Sequence, residues 1–494
     1  MIRTRICLYA LILAPLAVYW QTVFEDFGFR DDYSYLREAR EEPGKIVKVA
    51  ASHGRPLYGA LLETSFILTD EVARLPLLRM ITVLLLAVLA LALWRQLYQS
   101  GWTEVEAAGI GLGVALLPAA QVAAGWAISW PQVLALVLSV AGFSAIETEL
   151  ERGGLKRFVA LVGGCFIYAL ATLIYQSNAL FAIVPIAAVL LVRGTRETTS
   201  DGKWLAYHLT ALTVGIAFSY FLMRGLFESG VFRESVRMQV ENNPLTKLAW
   251  FFQYPLANAL GLYALRDDFG QGAWIFWLTV AGVVAFIAAG VRLSLRQPNP
   301  QTKRKWLWCL VILPFFAHAV SLAAAERSIA YRTIFALSGL VVVLMVYSLR
   351  AMANAATGKP LLRYAGLALL AAAVAFMANR NAYQLLAEPQ SNEWEIARGS
   401  LLRVNFTKPT KVFVITPSIE DRSTTRVYFD EFGSLSSSSD WAPKEMVAAA
   451  MHERFPIRLP TGGSYTLASG REAPAAKDYD LVIDLRKLKE RRER

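Results

Sequence analysis

Apolar runs of about 18 to 22 residues recur roughly eleven times between Cys7 and Met377. A run of that length crosses the hydrocarbon core of a bilayer as one helix. The runs lie near Cys7–Phe24, Leu75–Trp94, Val105–Gln121, Pro131–Ile146, Phe158–Tyr175, Ala179–Val192, Trp204–Leu222, Ala273–Val291, Trp306–Ala324, Ile334–Tyr347 and Tyr364–Met377. Composition agrees: 55% of the 494 residues are hydrophobic and 18% charged, where soluble domains carry about a quarter. The mean hydropathy is +0.39. These values exclude an ordinary soluble enzyme and predict a polytopic helical protein of the lipid bilayer.

The net charge of +11 would suggest nucleic acid in a soluble chain, but its distribution does not. Arg3, Arg5, Arg152, Lys156, Arg157, Arg193, Arg196, Lys203, Arg292, Arg296, Lys303, Arg304, Lys305, Arg350, Lys359 and Arg363 alternate onto one side of the predicted spans. The short loops around Gly125–Trp130 and Gln176–Ser177 carry none. Lys and Arg collect in cytoplasmic loops, so the amino terminus is expected in the cytoplasm, with no nucleic-acid role. An odd number of spans then exports residues 379–494, despite the basic ending at Arg491, Arg492 and Arg494. Arg3 and Arg5 ahead of an apolar run also fit a signal peptide, but the run is too long and Leu16-Ala17-Val18 is a poor cleavage site. Trp20, Trp94, Trp130, Trp204, Trp274 and Trp306 fall near span ends, as in an interfacial aromatic belt.

The expected domain organisation is therefore a membrane region, residues 1–378, with external loops at 25–74 and 224–272, followed by a small soluble α/β domain, residues 379–494. In that domain Lys411–Thr416 and Tyr479–Asp484 read as strands, Ala442–Arg454 as a helix and Ser434–Asp440 as a serine-rich loop. Within the external loops, Leu57–Leu68 and Leu248–Leu265 are too mixed to span and read as interfacial helices, with Trp250, Tyr254 and Tyr263 at headgroup depth. Cys7, Cys165 and Cys309 are scattered within apolar runs, and no two of His53, His208, His318 and His452 have ligand spacing. Neither a disulfide framework nor a metal site is expected.

The residues that could carry chemistry cluster in the external loops. Asp31 and Asp32 follow the first span directly. Adjacent positions on a helix point about 100° apart, so a division of labour is expected, one acid catalytic and the other capping or orienting. A carboxylate base suffices where the leaving group is already a phosphate. Arg55, Arg224, Arg266, Arg327 and Arg332 lie on the same external face, and Arg is suited to bidentate recognition of an anion. Arg327 and Arg332 sit where the charge rule disfavours them, which marks them further. Arg266-Asp267-Asp268-Phe269 echoes Arg30-Asp31-Asp32-Tyr33, although a turn before Gly270 explains it as well. His53-Gly54-Arg55-Pro56 reads as a turn presenting Arg55 and His53.

With these elements the chain resembles the GT-C class of membrane glycosyltransferases, and more narrowly the serotype-converting O-antigen glucosyltransferases. The resemblance covers residues 1–378 and rests on Asp31-Asp32 after the first span, Gly54-Arg55-Pro56, about eleven helices, and the late loop with Arg327 and Arg332. It implies a multi-pass enzyme of the bacterial inner membrane with its last domain in the periplasm. The implied reaction is an inverting transfer of a sugar, glucose in the narrow family, from a polyprenyl-phosphate donor to a lipid-linked glycan such as O-antigen. Asp31 or Asp32 is then the base, with Arg30, His53, Arg55, Arg224, Arg266, Asp267, Asp268, Arg327 and Arg332 around the substrates, and no metal or other cofactor is expected. The working partners implied are a small flippase and a donor-synthesising glycosyltransferase. A transporter or flippase is the reading from another class, and predicts ionisable groups near the midplane of spans. A glycan polymerase or ligase would share the donor.

Overall fold

The computed structural model describes residues 2–152, 154–193, 199–267, 273–296, 300–355, 360–418, 431–475 and 477–488. The architecture is the expected one: a polytopic helical membrane region with a small α/β element at its carboxyl end. Among the described residues seven helices are long and apolar enough to cross a membrane: Thr4–Phe24, Val72–Gln99, Ala127–Leu150, Gly154–Ile174, Asp201–Glu228, Ala273–Leu295 and Phe335–Asn354. The pair Glu104–Ala115 and Pro118–Gly125, bent by 52°, makes an eighth if taken as one span. The remaining expected spans are helical too: Gln176–Val192 is shorter, the segment from Pro300 to Ala323 is interrupted by a π turn, and Pro360–Ala382 is a continuous helix of 23 residues.

Proline explains where the helices break. Pro118 has no amide hydrogen and disfavours helical geometry in the residue before it, so the helix that stops at Ala115 restarts at Pro118 in a new direction. Each of three π-helical turns has a proline in it or just after it. They are Phe252–Leu256 with Pro255, Trp308–Ile312 before Pro314, and Tyr383–Ala387 before Pro389. Widening the turn relieves the clash of the ring with the preceding carbonyls. Thr103 starts its helix with a capping box, accepting from the Glu106 amide while its own amide donates to the Glu106 carboxylate.

Small residues let the spans approach closely. A Cβ added at Gly215 would lie 2.6 Å from the Cys165 carbonyl, and one at Gly142 would lie 2.8 Å from the Tyr168 ring. Helices Trp130–Leu150, Gly154–Ile174 and Asp201–Glu228 thus pack backbone to backbone. The aromatic belt is only partial: Trp20 and Trp274 face outward, while Trp204 and Trp306 are buried. Trp250 is also buried, and the Tyr263 hydroxyl donates to the Gly113 carbonyl at 2.7 Å, so these two pack against the bundle.

The basic residues of the charge-rich loops gather at one end of the bundle. There Arg193 pairs with Glu151 and Asp201, Lys305 with Asp201, and Arg350 with Glu106. The loop after the first span and the carboxyl-terminal element meet at the other end. In that element a parallel sheet has the order β2–β1–β3, with β1 Pro409–Ile415, β2 Ser464–Gly470 and β3 Leu481–Asp484. Helix Ala442–Arg454 packs on helix Asp31–Glu41. Arg37 forks onto Glu445 at 2.7 and 3.1 Å, and His452 meets Asp70 at 3.3 Å. The element therefore sits on the same face as Asp31.

Candidate functional site

The first loop turns out of the membrane around a buried arginine. Arg79, on the second span and fully buried, donates to the carbonyls of Val23 at 3.2 Å and Phe27 at 2.8 Å, and to that of Glu25. Its guanidinium lies 4.1 Å from the centre of the Phe27 ring. It thereby satisfies the unpaired carbonyls that end the first helix and holds the chain where it leaves the span.

Helix Asp31–Glu41 begins immediately afterwards, and its two acids separate. Asp32 is 0% exposed. Its Oδ2 accepts from the Phe29 amide at 2.9 Å and its Oδ1 from the Ile128 amide at 3.2 Å. Burial pushes its pKa up to about 7 against the opposing pull of those amides and of Arg79. Asp32 thus ties the loop to the Ala127–Ser129 turn and is closed to any substrate. Asp31 is half-buried and accessible. Burial raises its pKa, while the charges of Arg332, Arg30 and Arg237 draw it back down. Tyr35, one helical turn on, shares these surroundings, its hydroxyl held well above the usual phenol range by burial and by Asp31.

Arg30, just before the helix, has φ +47° and ψ −105°, in a region that L residues rarely adopt. Such strain costs about 1–3 kcal/mol and persists only where the surroundings enforce it. Here the Arg30 amide donates to Ser436 Oγ at 2.9 Å and its Nη2 to Ser434 Oγ at 2.7 Å, while the Tyr33 amide closes the turn onto the Arg30 carbonyl.

The turn His53-Gly54-Arg55-Pro56 is held as a unit by Gln176. Its Nε2 donates to the carbonyls of His53 and Gly54 at 2.8 and 3.2 Å, and its Oε1 accepts from Arg55 Nε at 2.6 Å. Gly54 has φ +75°, and a Cβ there would sit 3.0 Å from Gln176 Nε2, so only glycine fits both demands. Pro56 opens the next helix at a position where its missing amide costs nothing. Arg55 lies over the Tyr175 ring at 4.3 Å. Burial, Arg55 and Arg237 hold the His53 pKa down at about 4, so its imidazole is neutral at physiological pH.

The loop at 224–272 bridges the first loop and the late loop that carries Arg332. The Ser235 amide donates to the Ser52 carbonyl at 3.0 Å, and the Ala325 amide to the Gln239 carbonyl at 2.8 Å. Val240 and Ala324 form an antiparallel bridge. Buried Lys247 donates to the carbonyls of Ala324 and Glu326 at 2.7 and 2.6 Å. Arg237 is carried to the edge of the cluster, 3.5 Å from Glu326. Arg332 follows in the late loop, its guanidinium 4.5 Å from the centre of the Trp126 ring and its Nε 3.9 Å from buried Glu431.

The structure therefore brings together Asp31, Arg30, His53, Arg55 and Arg332 of the residues expected from sequence, with Asp32 directly beneath. It does not bring Arg224 or Arg327 among them: Arg224 pairs with Glu228 and Glu234, and Arg327 with Glu241 at 3.1 Å. Arg266 is buried, donates to the Gln253 carbonyl at 2.7 Å and stacks 4.6 Å over Tyr254. Asp267 is buried beside it, and Asp268 lies outside the described residues. Arg237, Tyr35, Gln176, Arg79 and Glu431 were missed. Arg237 breaks the same charge rule that singled out Arg332, and Tyr35 follows from helical spacing; nothing local marks the others. Among the described residues no three His, Cys, Asp or Glu side chains converge as a metal cage.

No protein-family model matches the chain, and no curated protein does. Among solved structures it is similar to the crystal structure of ArnT from Cupriavidus metallidurans in the apo state. The identity is 14% over 92% of this chain and 88% of that one, with a TM-score of 0.43. A likeness so distant carries no argument about the chemistry of the site.

Proposed function

We propose that this protein is an integral-membrane glycosyltransferase of the GT-C type. In this reading it moves a sugar from a polyprenyl-phosphate donor to a lipid-linked glycan on the external face. Asp31 is the base: its carboxylate accepts the proton of an acceptor hydroxyl as that oxygen attacks the anomeric carbon opposite the phosphate. The bond from the anomeric carbon to the phosphate oxygen breaks, the electron pair leaves with the polyprenyl phosphate, and the configuration inverts. Arg332, Arg55, Arg30 and Arg237 supply the positive field in which the leaving phosphate gathers charge. Glucose as the sugar and O-antigen as the acceptor extend the same proposal, as do the inner-membrane location and the periplasmic placing of residues 379–494.

The observation that carries the reading is the contrast within Asp31-Asp32. One acid is wholly engaged by backbone amides, and the other is accessible and lies in the field of three arginines from separate loops. A mostly apolar groove of about 730 Å³, lined by Leu256, Ile287, Val291 and Leu344 and also by Arg292 and Arg296, offers a place for a lipid chain. The transporter reading has less support. His208 and Glu147, paired within spans at 3.0 Å, belong to the basic end of the bundle near Arg193, and Arg79 is occupied by the carbonyls of Val23, Glu25 and Phe27.

The test is transfer of radiolabelled sugar from a polyprenyl-phosphate donor by the purified chain in detergent. Wild type should release the sugar from its phosphate, and Asp31→Asn should lose about 10²- to 10⁴-fold in rate. An intact donor bond with wild type, or full transfer by Asp31→Asn at normal expression, contradicts the proposal.

A further inference from the structure

The carboxyl-terminal element does more than rest on the membrane region. Its segment Glu431–Ser437 touches the loops that carry Arg30 and Arg332. Glu431 is 0% exposed. Its Oε2 accepts from the Tyr331 amide at 3.3 Å, its Oε1 lies 3.9 Å from Arg332 Nε, and the neighbouring Phe432 ring meets the Tyr331 ring edge-on at 5.5 Å. Further along the same segment, Ser434 and Ser436 hold Arg30 through its guanidinium and its amide. The serines are themselves fixed from behind. Gln390 Nε2 donates to the Ser434 carbonyl at 2.7 Å and its Oε1 accepts from the Ser436 amide and hydroxyl at 3.1 and 2.7 Å. Glu393 Oε1 accepts from the Ser437 amide at 3.0 Å.

We propose that Glu431, Ser434 and Ser436 are positioning residues that set Arg332 and Arg30 for one anionic lipid headgroup, so that the site is incomplete without the carboxyl-terminal element. The inference rests on the reading of this site as one that binds a polyprenyl phosphate. Three features favour a role beyond docking. A buried carboxylate carries a desolvation cost that an apolar contact would avoid, which makes it a poor choice for adhesion alone. The serines enforce a strained backbone at Arg30, next to the accessible acid. A planar guanidinium lying over Trp126 and in the field of the buried Glu431 carboxylate is biased toward one orientation before the anion arrives, which strengthens binding.

The experiment uses the full chain in detergent and polyprenyl monophosphate as the probe. Binding is read from tryptophan fluorescence, and sugar transfer and thermal unfolding are measured alongside. The variants are Glu431→Gln, Glu431→Asp and the double substitution Ser434→Ala/Ser436→Ala, which removes only two hydroxyls and guards against misfolding of the first. Glu431→Gln and the serine pair should each weaken binding of the probe about tenfold and raise KM for the donor in parallel, with kcat altered much less, and Glu431→Asp should recover part of the loss. Wild-type affinity in Glu431→Gln and in the serine pair overturns the inference while leaving the enzyme reading intact if wild type still transfers sugar. A fall in unfolding temperature with KM unchanged also overturns it. Wild type that neither binds the probe nor transfers sugar removes both readings.

Discussion

Replacing Asp32 should damage the fold, and replacing Asp31 should damage the reaction. Asp32→Ala strips the acceptor from two buried amides, Phe29 and Ile128. An orphaned buried donor costs about 1–3 kcal/mol, so the pair amounts to about 2–6 kcal/mol. Asp32→Asn keeps one acceptor and costs about half of that. The pH dependence separates them further. Because burial pushes the Asp32 pKa up to about 7, the native state holds a proton that the unfolded chain has released, so stability falls as pH rises from about 4 to about 7. At about 1.4 kcal/mol per pH unit the loss is about 4 kcal/mol over that window. Asp32→Asn cannot ionise and should lack this slope. Glu393, also buried and pushed up to about 7, contributes the same slope to both proteins and cancels in the comparison. The assay is thermal unfolding of the detergent-solubilised chain at fixed scan rate from pH 5 to pH 8. Wild type should lose apparent Tm across this range more steeply than Asp32→Asn, while Asp31→Asn should keep the Asp32 slope and lose only the part that its own raised pKa contributes. Equal slopes for wild type and Asp32→Asn, or a stable Asp32→Ala, would refute the structural role assigned to this acid.

Three further outcomes are expected of the site. The rate of transfer should rise with pH through a midpoint above the ordinary carboxylate range, since Asp31 must lose its proton; Arg332→Gln removes a charge that favours the anion and should move that midpoint about one unit upward in a pH–rate profile. Gly54→Ala places a methyl group in a left-handed turn against Gln176, and should cost about 1–2 kcal/mol in unfolding measurements and raise KM for the donor, because Arg55 loses its seat. Arg79→Met leaves three carbonyls at the end of the first helix without a donor and should lower expression and apparent Tm severely, by about 3 kcal/mol or more, whatever the substrate.

Residues that follow local rules were legible in the sequence. Lengths of apolar run located the helices, and proline marked where they break, although run length alone treated Ala179–Val192 and Trp306–Ala324 as full spans. Strand β1 and helix Ala442–Arg454 followed from composition, whereas β2, with Ser464, Thr466, Gly470 and no clean alternation, did not. The split between Asp31 and Asp32 was expected from helical spacing, but which acid is buried depends on the Ile128 amide, 96 residues away. Arg55 and Arg332 stood out by charge placement, and so did Arg224 and Arg327, which the structure gives to neighbouring glutamates. All but Arg55 have a glutamate within ion-pair distance, so what separates them is whether the fold carries them to Asp31, which local sequence does not encode. Glu431 and Ser436 are far from Arg30 in the chain, and their role is set by tertiary contact alone.

The most direct measurement is a structure of the chain with a polyprenyl monophosphate bound. The account places the phosphate within hydrogen-bonding reach of Arg332 and at least one of Arg55, Arg30 and Arg237, with the Asp31 carboxylate facing the same space. A phosphate held instead by Arg266, Arg224 or Arg327, with Asp31 directed away from it, would contradict the account.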